Sequence, residues 1–332
     1  MSMTNLIVRE LRQTEWDGWD HWLALQPWGS PFSASWWLDA NCRAFGGRPL
    51  LLAVLDGEQL VGGVALRITD VGPLQVVRPS ILYNPIVIGA GSAQRRQQVL
   101  AALLEEMACR KLVVRHLNCT TDMVDLREAV WHHWDLTAAW TVLQSLKTWT
   151  LGKDVAPAEL RQLRKAQRAG VTAGVEPPDA DILYDLVHAS MSRRQQPVGV
   201  TREQLHTLVE AAGTHCIQIV ARDVDGVPLS ATLIMVHGTC AAYCLWIGTS
   251  AIGLTKGATV AMYISTLEEL QTRGYGYLDW CGGSLPGLSD FKLKFGGILT
   301  TRLTISREPR WLKGTYPVYV RLLQLRHIVK KN

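Results

Sequence analysis

Two stretches of the chain carry the same pattern of apolar and polar positions. Leu50–Leu55 is apolar, breaks at Asp56-Gly57 and resumes across Gln59–Arg67. Cys216–Ala221 is apolar, breaks at Asp225-Gly226 and resumes across Pro228–Val236. An apolar run, an Asp-Gly turn and a second apolar run predict an antiparallel hairpin. The flanks repeat as well. Helical periodicity at 14–25 and 33–44 precedes the first hairpin, and at 179–193 and 201–212 it precedes the second. A helix over 92–109 then leads to the strand Lys111–Leu117, and one over 255–273 leads to Tyr275–Trp280. The offsets all lie at about 163–169 residues, half of the 332-residue chain, which indicates a tandem duplication.

The repeated unit is a strand, two helices, an antiparallel hairpin, then a helix and a strand. A crossover helix between two strands implies a parallel pair at the end of a mixed sheet. The predicted class is therefore α/β with mixed sheets, in two domains spanning 1–150 and 151–332. Ligands in such sheets bind where neighbouring strands change direction and a cleft opens at their ends. The halves differ in composition, since ten of the thirteen tryptophans lie in residues 1–150. The spacing of three among Trp16, Trp19 and Trp22 predicts one helix face packed into a core or between domains.

Composition narrows the class further. An apolar fraction of 48% with 19% charged residues excludes wholesale disorder. The first residues carry Arg9, Glu10, Arg12 and Glu15 where a signal peptide needs an apolar run. The most apolar window, Leu229–Gly248, is split by His237, Gly238 and Thr239. That favours a buried hairpin over a membrane span, and peripheral membrane contact is left open. The seven cysteines are odd in number and scattered, without metal-ligand spacing, so no metal or resident cofactor is expected. Reduced thiols in a cytoplasmic protein follow.

The net charge of +5 is uneven. Residues 302–332 hold eight Lys or Arg against Glu308 alone, a tail that would suit phosphate-rich partners or simply be solvated. Between the halves, Arg161, Arg164, Lys165 and Arg168 cover much of a short helix that ends at Gly170. That helix is either a solvated linker or a binder of phosphate or carboxylate in an inter-domain cleft. Asp279 is an acid inside an otherwise apolar strand, where burial is costly unless it is paired. Directly after it, Phe291 and Phe295 would pack inward while Lys292 and Lys294 project from other faces. Either lysine could stabilise an oxyanion or make a surface salt bridge. Cys281, beside Asp279, is considered as a nucleophile, but no histidine is near it in sequence. The glycine loops 89–95 and 253–259 precede corresponding helices, yet neither has a Walker or dinucleotide spacing.

The order of elements in each half resembles the GNAT acyltransferase fold, and the duplicated form resembles the FemAB-like transferases. Arg161-x-x-Arg164-Lys165-x-x-Arg168-x-Gly170 is similar to that family's basic helix. Tyr277-x-Asp279-x-x-Gly282 followed by Phe291-Lys292-x-x-Phe295-Gly296 is similar to its C-terminal signature. The resemblance implies amide-bond formation between an activated donor and an amine. Aminoacyl-tRNA is the favoured donor and an acyl-CoA or acyl-carrier-protein thioester the alternative. The acceptor would be a nucleotide-linked or other amine, as in peptidoglycan or natural-product assembly. It further implies that Lys292 stabilises the oxyanion or leaving group and that Asp279 orients or deprotonates the amine. Arg161 and Arg164 would hold acceptor phosphates, and Lys165, Arg168, Tyr277 and Lys294 complete the expected substrate-contacting set. The family's charged coiled-coil arm is missing, and the first half has no matching motif. An acyltransferase of envelope polysaccharide assembly and a non-catalytic binding module are the competing readings.

Overall fold

Alternation of strand-forming and helix-forming segments runs through the whole chain. The computed structural model describes residues 6–26, 29–238, 240–284, 286–309 and 312, so most of the basic tail lies outside the described residues. The first half comprises β1 (Leu6–Glu10), α1 (Trp16–Ala24), α2 (Ser35–Phe45), β2 (Arg48–Asp56), β3 (Gln59–Val71), β4 (Leu74–Arg78) and β5 (Ile86–Ile88). It continues with α3 (Ala93–Cys109), β6 (Val113–Asn118), α4 (Arg127–Trp131) and β7 (Asp135–Ser145). Two helices, α5 (Leu151–Asp154) and α6 (Pro157–Arg168), lead into the second half. That half comprises β8 (Thr172–Glu176), α7 (Ala180–Arg193), α8 (Arg202–Ala212), β9 (Cys216–Arg222), β10 (Pro228–His237) and β11 (Ala241–Thr249). It ends with α9 (Ala251–Lys256), α10 (Ala258–Thr272), β12 (Tyr277–Asp279), α11 (Pro286–Leu293) and β13 (Ile298–Arg307).

Both Asp-Gly hairpins form as expected, β2 with β3 and β9 with β10. The apolar window Leu229–Gly248 is the hairpin β10–β11, and among the described residues no helix is long and apolar enough to cross a membrane. The run expected as one helix over 255–273 is broken. Gly257 takes φ +76°, where α9 stops and α10 starts.

The described strands join into one mixed sheet, in the order β1-β2-β3-β4-β6-β13-β7-β12-β11-β10-β9-β8, with β5 beside β3. The last strand of each half is exchanged. The last described strand, β13, pairs with β6 and β7, while β7 also pairs with β12. Ile305 of β13 is buried in the apolar core of the first half as a result. One sheet face carries a core shared by both halves, in which Trp19 and Trp37 pack with Leu183 of α7 and Leu205 of α8. The opposite face carries two separate cores, one beneath α3 and one beneath α10.

Candidate active site

The expected change of strand direction lies at β11, which is antiparallel to β10 and parallel to β12. The parallel pairing covers only Ala241, Ala242 and Tyr243 against Tyr277, Leu278 and Asp279. Beyond it the two strands part for two reasons. Leu245 is an extra residue in β11, left out of the register with β10, and such a bulge bends and twists its strand. The chain after β12 meanwhile stays with β7, as the Trp280 N–H donates to the Val142 carbonyl and the Gly283 N–H to the Trp140 carbonyl, both at 2.9 Å. From Cys244 onward β11 therefore has a strand neighbour on one side only.

The gap is a cavity of about 310 Å³ that crosses the sheet. Val187, Ser190 and Met191 of α7 line it from one face, and Tyr263, Phe291 and Lys292 line it from the other. Trp246 and Ile247 form one side of the fork and Trp280–Gly282 the other. Tyr263 stacks on Trp280 with ring centroids 4.3 Å apart, making a rigid aromatic floor. A wider cavity of about 690 Å³ adjoins it, sharing Arg194, Leu254, Thr259, Leu288 and Phe291, and extends to Gln162 and Lys165 of α6. Gly257 sits where α6 and α10 meet, and a Cβ there would come within 2.7 Å of the Gln162 carbonyl.

Lys292 is 3% exposed and bounds the inner cavity. Its ammonium donates to the carbonyls of Trp280 (2.9 Å), Cys281 and Gly282 (3.3 Å), which uses all three of its donors. Burial pushes its pKa down from the ordinary lysine value, against a smaller opposing pull from Cys244, Cys281 and Asp279. Those carbonyls are presented by a tight turn in which Cys281 has φ +51° and Gly282 φ +63°. Cys281 is 4% exposed, and burial drives its thiol pKa well up, so it has no thiolate character for nucleophilic attack.

Residues 158–293 match the acetyltransferase (GNAT) domain family. The structure of FemX superposes with a TM-score of 0.66 at 14% identity, covering 89% of this chain and 96% of FemX. L-PGS from Bacillus licheniformis gives 0.57 at 15% identity over 87% and 97%. A tandem GNAT protein from the clavulanic acid biosynthesis pathway gives 0.53 at 13% over 91% and 97%. The chain has a FemAB-like tandem GNAT fold. No curated protein sequence matches it.

Within this GNAT fold the site residues expected from sequence separate into three groups. Lys292 and Lys165 line the connected cavities. Asp279 lies behind the cavity wall, 1% exposed, and its two oxygens accept three hydrogen bonds. The donors are the Tyr83 hydroxyl at 2.7 Å, the Thr141 hydroxyl and the Cys281 N–H at 2.7 Å. Tyr277 points elsewhere, into the shared core beside Tyr243, and burial raises its pKa to about 12. Arg161, Arg164 and Arg168 are exposed on α6 and are not among the lining residues. Lys294 is not in the cleft; it pairs with Glu159 at 3.2 Å and ties α11 to α6.

Arg193 and Arg194, at the end of α7, were not expected from the sequence. Arg193 donates to the Thr249 carbonyl at 2.6 Å, closing the far end of β11, and the exposed Arg194 borders both cavities. The pair closes a helix in the ordinary manner of basic residues, so nothing local marked it. Among the described residues lining the inner cavity there is no carboxylate and no histidine. Among all described residues no group of three or more His, Cys, Asp or Glu is placed to hold a metal. In the first half, Ile88, Gln97 and Met123 line a pocket of about 120 Å³ beside α3.

Proposed function

We propose that the chain is an N-acyltransferase that moves an acyl group from an activated, phosphate-bearing donor to an amine in the fork between β11 and β12. The observation that carries this reading is the fork itself, with the buried Lys292 at its apex and Lys165 and Arg194 at its mouth. The amine nitrogen attacks the acyl carbonyl, and the tetrahedral oxyanion collapses with loss of the thiol or hydroxyl leaving group. The bulge at Leu245 bends β11 away at the fork, and the Lys292 charge would stabilise the carbonyl oxygen in a desolvated site. The described residues lining the inner cavity include no carboxylate or histidine, so the amine enters neutral and its proton leaves with the departing group or with water. The work of the site is then positioning and oxyanion stabilisation.

The one-sided edge of β11 favours a thioester donor on a phosphopantetheine arm. Five residues, Cys244–Gly248, lie on the side of β11 without a strand neighbour over about 16 Å, which suits an extended chain bearing amides; Thr249 beyond them is held by Ser190 and Arg193. The arm's phosphates would meet Lys165, Arg194 and the start of α10. A second reading, aminoacyl-tRNA, is supported by the outward row of Arg161, Arg164 and Arg168, which lies beyond the reach of a small donor but suits an RNA backbone. Under either reading the acceptor is an amine, with nucleotide-linked acceptors the first to try.

The experiment is thermal unfolding with acetyl-CoA and longer acyl-CoAs, beside binding of charged tRNA over a salt series. A rise in Tm with acyl-CoA supports the thioester, by mass action on the folded state. Binding of charged tRNA that weakens steeply with salt supports the RNA donor. If neither donor binds and no amide forms on a panel of nucleotide-linked amines, the acyltransferase reading fails.

A further inference from the structure

The inner cavity belongs to the second half except for one intrusion. The loop after β4 brings Leu82 into its lining and Tyr83 behind its wall. This loop is firmly built. Leu82 takes φ +67°, a strained value for leucine. The Asn118 side chain donates to the Leu82 carbonyl at 3.0 Å, and the Asn84 side chain accepts from the Asn118 N–H at 2.8 Å. Thr304 of β13 donates to Asn118 at 2.9 Å, so the exchanged strand braces the same loop. The Tyr83 ring is 2% exposed and packs against Phe32 and Tyr243, with centroids 5.6 and 6.0 Å away.

We infer that Tyr83 is a positioning residue for the second-half site, acting through Asp279 on the turn that holds Lys292. The chain of contacts is continuous. The Tyr83 hydroxyl donates to one oxygen of Asp279, and the other oxygen accepts the Cys281 N–H, which fixes the left-handed turn. The carbonyls of Trp280, Cys281 and Gly282 then point at the Lys292 ammonium. Asp279 is thus the joint between the halves, and both of its oxygens are engaged in that task. Without the tyrosine, the carboxylate keeps its burial but loses one donor, and the turn gains freedom. The first half serves the reaction by this strut.

The test reads the turn directly. Cys281 sits in it, 4% exposed, and Cys119 is equally enclosed in the first-half core at 0%, so the two thiols report local and global opening respectively. In the native full chain, a thiol-reactive probe with peptide mapping should label Cys281 about tenfold faster or more in Tyr83→Phe, with Cys119 unchanged. Asp279→Asn should do the same, and the double variant should add little, because both act on one contact. Equal acceleration at Cys119 would make Tyr83 a general stability residue, and unchanged labelling at Cys281 would remove the strut; either result overturns the inference. It rests on the proposed function only in giving Lys292 a catalytic task. Labelling needs no substrate, so a locked turn in an inactive protein is told apart from a loose turn in an active one.

Discussion

Lys294 Nζ lies 3.2 Å from Glu159 Oε1, and the two partners differ sharply in exposure, 47% for the lysine side chain and 7% for the glutamate. The contact joins the helix that carries Lys292 to the basic helix α6, and so sets the width of the cleft mouth. It also makes the two charge removals unequal. Lys294→Ala strands a buried carboxylate and should cost about 1–2 kcal/mol, whereas Glu159→Gln removes the buried charge itself and should cost about half as much. Thermal unfolding of both variants checks the order; a larger loss in Glu159→Gln would show that the pair is not what holds the helices.

Lys292 makes a prediction with opposed signs. Its folded pKa is lowered below the ordinary 10.5 by burial, so between the two values the folded chain binds fewer protons than the unfolded one. Stability contributed by this group therefore rises with pH across that window. Turnover that depends on the ammonium falls across the same window. Lys292→Arg should carry the alkaline limb of kcat to higher pH, and Lys292→Met should lower kcat by about 10²–10³-fold. A pH–rate profile unmoved in the arginine variant would exclude Lys292 as the titrating group.

The repeat was legible because its signals are local. Asp56-Gly57 and Asp225-Gly226 mark hairpins without reference to anything distant, and the apolar runs beside them are unambiguous. The middle of the sheet was not legible. In β7, Thr137-Ala138-Ala139-Trp140 alternates weakly, and β13 pairs Ile305 with Leu117, a partner 188 residues back in the chain. Weak alternation and remote pairing leave no mark in a window of ten residues. Asp279 stood out as an acid in an apolar strand, whereas Lys292 was expected to project away from Phe291 and Phe295 and is instead buried beside them. Tyr83 did not stand out, because a tyrosine 196 residues from its carboxylate looks like any core aromatic. Of the two readings open to Lys294 the salt bridge is the one formed, but its partner Glu159 lies on another helix, and spacing cannot show that.

The mouth of the cleft separates the two donors. Lys165 and Arg194 border the outer cavity, whereas Arg161, Arg164 and Arg168 face outward on α6. With a thioester donor, Lys165→Ala and Arg194→Ala should each raise the KM for acyl-CoA about tenfold, and Arg161→Ala and Arg168→Ala should leave it unchanged. With charged tRNA, all of these substitutions should weaken binding, and each should flatten the salt dependence by about one ion. Steady-state KM and a salt titration on the same variants discriminate the outcomes.

Gly257 carries the last prediction, because two independent constraints meet there. Its φ of +76° is strained for any residue with a Cβ, at roughly 1 kcal/mol. A Cβ would also stand 2.7 Å from the Gln162 carbonyl, which is backbone and cannot rotate aside. Gly257→Ala should therefore cost more than the conformational term alone, about 2–3 kcal/mol, and push α6 off the start of α10. Because Lys165 rides on α6, donor affinity should fall with stability. Gly226→Ala is the matching control: φ is +77° at a turn with nothing within 4 Å of the added Cβ. It should lose only the conformational term and keep donor affinity. Equal losses of stability at the two positions, read from Tm, would show that the contact between α6 and α10 is loose and that Gly257 does not set the mouth.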